Sequence, residues 1–163
     1  QRIYLGGLYQ LWRFENVLRP NEVIHGQFDK CYVPRNAQTI GDLDIHELGI
    51  QANGKVIFVN TKYSCLAELS QTHSFKAVWK PKFISKLAPE DRCHLNGLAM
   101  VDGQPRFVTA LGRSNTPRGW KPGVPKATPR VVHGPRPRLR AWPGSPTAWT
   151  RPCASSTARS PSS

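Results

Sequence analysis

No stretch of this sequence approaches the ~20 consecutive apolar residues that a membrane-crossing helix needs, and a spanning helix is excluded. A basic-then-apolar leader is also absent. The chain begins at Gln1 rather than Met, so its natural start is expected to be missing. Paired cysteines of the CxxC kind are lacking. Cys31, Cys65, Cys93 and Cys153 stand far apart, which argues against a zinc ribbon. In a chain this long they suggest no disulfide framework either. Cys31, Cys65 and Cys93 read as reduced, buried small hydrophobic side chains, and a cytoplasmic location is expected. Helical periodicity is scarce, with no long window of apolar residues at i, i+3, i+4 and i+7. Gly6-Gly7 lacks both the GxGxxG pattern and a following helix, so a phosphate-cradling loop is not indicated.

Acidic residues are missing altogether from the last quarter. Up to residue 119 the chain carries fifteen Lys/Arg against ten Asp/Glu; beyond it there are eight against none. Most of the formal charge of +13 therefore sits at one end. Residues 120–163 also hold nine of the fifteen prolines and are otherwise rich in Arg, Ser, Ala, Gly and Thr. Such a segment buries too little apolar surface to offset the entropy of ordering it. It is expected to be a disordered tail, and its composition is that of an out-of-frame read of GC-rich coding DNA. The net charge is accordingly no argument for a nucleic-acid partner, although an Arg/Pro arm could in principle bind phosphates.

Residues 1–119 read as foldable and all-β. Strands are expected at Arg2–Leu5, Leu8–Phe14, Phe28–Val33 (closed by Pro34), 44–51, 55–61, 65–69, 75–79, 94–101 and 106–111. Leu8–Phe14 reads as a strand buried on both faces, rather than as an aromatic reader of nucleic acid. Asn53-Gly54 and Asp102-Gly103 mark hairpin turns between apolar runs, each expected to place both turn residues at positive φ. The turns lie 49 residues apart, and the same offset relates Phe58 to Phe107 and Val59 to Val108. Each is preceded by a His-containing approach, DLDIHEL and HLNGL. Four strand-like runs in a period of ~40–50 residues are the pattern of propeller blades. The expected fold is a partial β-propeller-like fragment of about two blades.

The longer wording points the same way. IYLGGLYQLWRFENVL, CYVPRNAQTIGDLDIHELGI, GKVIFVNTKYSCLAELS, SFKAVWKPKFISKLAPEDRCHLNGLAM and PRFVTALGRSN resemble an uncharacterised bacterial family known only as a conserved hypothetical, domain-of-unknown-function protein. The resemblance covers residues 2–119. It implies a propeller-like fold in a longer chain, from which this sequence departs after about Trp120, and it implies no established activity.

Polar residues that could carry chemistry gather before the two hairpins. Asp42, Asp44 and His46 alternate in GDLDIHELG and would share one strand face. Asp91, His94 and Asn96 form the second group. Innermost strands of successive blades line one channel, so Asp44, His46, His94 and Asn96 are expected to approach a common axis. Their chemistry would suit ligand binding, acid–base work or, with His46 and His94 as weak candidates, a divalent metal. The competing reading is that both histidines merely fix backbone, and Asp42 reads better as a loop acid. Ser64, Cys65 and Ser114 show no spacing that builds a triad. Lys76, Lys80, Lys82 and Lys86 read as a solvated loop. A binding protein for an unknown small molecule or protein is expected, with unknown cofactors. The alternative is a propeller enzyme, metal-dependent in one version, acting on a small or carbohydrate-like substrate.

Overall fold

The structure is a computed structural model that describes residues 1–122 and the backbone of residues 130–133. Most of the segment read as a tail therefore lies outside the described residues. Among the described residues there is no α-helix. Ten strands form three antiparallel sheets. The first holds β1 (Arg2–Gly6), β2 (Gln10–Asn16) and β3 (Tyr32–Thr39). The second holds β4 (Ile45–Ile50), β5 (Val56–Asn60), β6 (Cys65–Glu68) and β7 (Lys76–Trp79). The third holds β8 (Leu95–Val101), β9 (Gln104–Ala110) and β10 (Arg130–His133). Strand β4 lies against β8 on one side and β1 on the other, as the innermost strands of neighbouring blades do. The fold is all-β and propeller-like, and the described sheets close no ring. The 49-residue repeat marked only the second and third sheets, because the first lacks an Asn-Gly or Asp-Gly hairpin.

Side-chain alternation explains why the sheets stack. On the second sheet, Val56, Phe58, Cys65 and Ala67 face the first sheet, where they meet Leu11, Ile40 and Leu43. Ile57, Val59 and Leu66 face the third sheet and pack on Cys93, Leu95, Val108 and Ala110. Every residue of β5 is buried, as a strand covered on both faces requires. Among the described residues, the first sheet is covered on one face only. Leu11 is buried, but Trp12 and Phe14 on the opposite side are only half-buried. The expectation of a doubly buried second strand is corrected accordingly. The third strand begins at Tyr32 rather than Phe28, and Pro34 lies inside it. Proline is tolerated there because β3 is an edge strand and its register slips at that point, with Arg13 opposite Asn36 and Phe14 opposite Pro34.

The repeat has a different register from the one the turns suggest. Leu48 pairs with Phe58 and Leu98 with Val108, so the structural offset is 50. The two hairpins differ in their turns. Asp102 and Gly103 both have positive φ (50° and 66°), as a two-residue hairpin turn needs. In the first hairpin only Gly54 is left-handed (φ 78°); Asn53 is not. Its loop is one residue longer, with Gln51 N–H bonded to Lys55 O. A bulge between Ala99 and Met100 restores the count in the third sheet. The two turns also meet: Ala52 N–H donates to Gly103 O at 2.9 Å.

Candidate functional site

The 50-residue offset decides which side chains are equivalent. Asp44 O accepts from Thr61 N–H, and His94 O accepts from Leu111 N–H. Asp44 and His94 both enter their strands in the left-handed region, at φ 52° and 49°. His94 therefore occupies the position of Asp44, and Asn96 that of His46. Both strands then bulge in the same place, between Ile45 and Leu48 and between Leu95 and Leu98. The bulges turn His46 and Asn96 toward each other across the seam between the sheets. Asn96 Nδ2 lies 3.1 Å from His46 Nδ1.

The four candidate residues come together. The rings of His46 and His94 meet edge to face, with centroids 5.0 Å apart. His46 Nε2 is 3.5 Å from Asp44 Oδ1. His94 Nδ1 is hydrogen-bonded to Asp91 Oδ2 at 2.9 Å. Neither imidazole is sealed by backbone. Asp42, read as a loop acid, pairs with the Lys62 ammonium, which that contact holds above its ordinary pKa.

Two further residues complete the cluster. Asp91, also left-handed (φ 44°), is held where its N–H donates to Lys62 O. The same Oδ2 that accepts from His94 accepts the indole N–H of Trp120 at 2.8 Å. The Trp120 ring covers His94, with centroids 4.3 Å apart at 34°. Lys121 sits 5.8 Å from the Trp120 centroid. Sequence reasoning missed Trp120, because it falls past the point where the composition changes. Its only local sign was the adjacent Gly119, since a Cβ there would meet the hydroxyls of Ser114 and Thr116 that fold this loop back.

A buried clip anchors the approach to His94. The Arg92 guanidinium, 7% exposed, binds Glu90, Ser85 Oγ and Asn115 Oδ1. It holds the Glu90 carboxyl below the usual range. Arg92 N–H also donates to Ser64 Oγ, which gives Ser64 a structural task. Cys65 and Cys93 are fully buried, and desolvation pushes their thiols up to about 12 and about 11. Among the described residues no group of three or more His, Cys, Asp or Glu is placed to hold a metal ion. Surface hollows of about 700, 800 and 460 Å³ occur elsewhere, and neither histidine lines them.

A family model described as a domain of unknown function, DUF4915, matches residues 1–128. The chain belongs to the DUF4915 family. No curated protein and no solved structure matches it. The matched DUF4915 span covers all three hairpin-built sheets as far as β9, and it includes both histidines, Asp91 and Trp120. No helix among its described residues is long and apolar enough to cross a membrane.

Proposed function

We propose that this DUF4915 domain is a binding protein that holds a small molecule, or a partner's side chain, at the seam of β4 and β8. Asp44, His46, His94 and Asn96 are its contact residues. The observation that carries the reading is the edge-to-face pair of imidazoles from two adjacent sheets, oriented by side chains rather than backbone. Left-handed non-glycine residues cluster there, at Asp44, Asp91 and His94. Such conformations cost of order 1–3 kcal/mol each and concentrate at functional sites. Three free thiols among the described residues, two of them buried, support placing the protein in the cytoplasm.

The test is a fragment screen by saturation-transfer NMR on the wild-type chain and on the double variant His46→Ala/His94→Ala. Fragments that bind the wild type should be lost in the variant while its melting temperature barely changes. A large fall in melting temperature with every fragment retained would show that the histidines only fix backbone. A second reading, an enzyme with His94 as general base, is favoured by one feature: Asp91 holds His94 Nδ1–H as an orienting carboxylate does in acid–base dyads.

A further inference from the structure

The hydrogen-bond directions within the cluster specify what it can accept. Resting on the binding reading above, they name the chemistry of its ligand. A carboxylate only accepts, so Asp91 Oδ2 requires protons on both His94 Nδ1 and Trp120 Nε1. In neutral His94 the bare lone pair then lies on Nε2, which has no partner among the described residues. Asn96 Nδ2 donates to His46 Nδ1, which puts the proton of neutral His46 on Nε2, facing Asp44 Oδ1 at 3.5 Å. Apart from the second hydrogen of Asn96 Nδ2, the donors of the cluster are thus turned inward. What remains without a hydrogen-bond partner among the described residues is acceptors, His94 Nε2 and Asn96 Oδ1, beside the half-exposed Asp44 carboxylate. Neither Asp44 nor Asp91 is paired with Lys or Arg among the described residues. Lys62 is taken by Asp42, and Lys121 lies on Trp120.

We propose that the site takes a small protonated amine, whose N–H groups donate to His94 Nε2 and Asp44. Asp91 and Trp120 are positioning residues that hold His94 in its Nδ1–H tautomer. An anion would meet the Asp44 carboxylate, with the charge of Asp91 behind His94, and would find only the second hydrogen of Asn96 Nδ2 to accept from, so the charges disfavour it. A neutral hydroxyl compound could donate to His94 Nε2 or to Asp44 but gains no charge attraction from the carboxylates.

The experiment uses the full chain with ¹⁵N-labelled histidine, read by long-range ¹H–¹⁵N correlation, with methylammonium, acetate and ethylene glycol as probes. The free protein should show the Nδ1–H tautomer at His94. Methylammonium should move the His94 Nε2 resonance saturably, in the millimolar range that so small a ligand allows, and acetate should not. Asp44→Asn should weaken methylammonium severalfold with the His94 tautomer unchanged. Trp120→Phe keeps a ring over His94 but removes one proton from Asp91, and should leave the Nδ1–H tautomer intact. Asp91→Asn should populate the other tautomer and lose the Nε2 response. A dominant Nε2–H tautomer in the wild type overturns the proposal. If acetate or ethylene glycol moves the imidazoles as far as methylammonium, the amine assignment falls while the binding site stands. If no probe moves either imidazole, and the fragment screen is equally silent, both fall.

Discussion

Cys65 and Cys93 make the plainest statement a single residue can make about this fold. Both are wholly buried, and burial in apolar surroundings is the largest cause of their raised thiol pKa, from an ordinary 9.0 to about 12 and about 11. Between about 9 and 11 the unfolded chain loses protons that the folded chain keeps. Stability is therefore complete below 9 and falls as pH rises through that window. Chemical denaturation at pH 7.5, 9 and 10.5 should show a midpoint that drops on the alkaline side. The variant Cys65→Ala/Cys93→Ala should lack that alkaline drop, whatever its stability at neutral pH. A wild-type midpoint flat to pH 10.5 would mean that the thiols are open to water. Acid conditions act through a different residue: Glu90, held low by Arg92, contributes stability above the ordinary carboxylate range that is lost as pH falls through its depressed value.

Thr61 ties one element to the next. It follows β5, is fully buried, and its hydroxyl donates to Leu95 O at 2.5 Å, at the first residue of β8. Its own N–H donates to Asp44 O. One residue thus spans the seam on which His46 and His94 stand. Thr61→Val keeps the shape and removes the donor. It should destabilise the fold by about 1–3 kcal/mol, the cost of a buried acceptor left unmet. Equilibrium urea unfolding measures it, and an unchanged midpoint would show that Leu95 O has another partner. The elements themselves were largely legible in the sequence, because β-branched runs and Gly-containing turns are local signals. Their register was not. The 49-residue spacing of the turns hid a true offset of 50, since one hairpin has a longer loop and the other a bulge. For the same reason the two histidines looked equivalent, whereas His94 stands at the position of Asp44 and Asn96 at that of His46. The meeting of the four residues was legible, because it needs only adjacent inner strands. The Trp120 contribution was not, because it depends on a loop that folds back after β9. Pro34 misled for a related reason: an edge strand with a bulge leaves room for it, and edge status is a tertiary fact.

At the scale of the whole molecule, the sheets differ in how much cover they have. The second sheet is sandwiched, and its core strand β5 is buried throughout. The first sheet meets the second through Tyr4 and Leu11, with Gly6 close against Ile45 and Gln38 Nε2 donating to Ser70 O. On its other face Ile3 lies opposite Phe14 and Leu5 opposite Trp12. Ile3 and Leu5 are 44% and 55% exposed, and the half-buried rings of Trp12 and Phe14 lie 6.3 Å apart. This is a contiguous apolar sheet face of the kind that drives association when nothing lies on it. The edge beside it is guarded, because Pro34 and the bulge spoil the ladder of β3. Association should therefore proceed through the face rather than by strand addition. Light scattering on the chain should show mass rising with concentration. Leu5→Lys places a charge opposite Trp12 without touching the core side, and should suppress that rise while leaving the unfolding midpoint within about 0.5 kcal/mol, as expected of an exposed site. Pro34→Val restores a donor to the exposed edge and should add association of its own, visible as thioflavin-positive material. Both variants would bind the fragments found for the wild type, since neither residue is near the imidazole pair. A chain that stays monomeric at every concentration, with no response to Leu5→Lys, would show that the outer face of the first sheet is no driver of association.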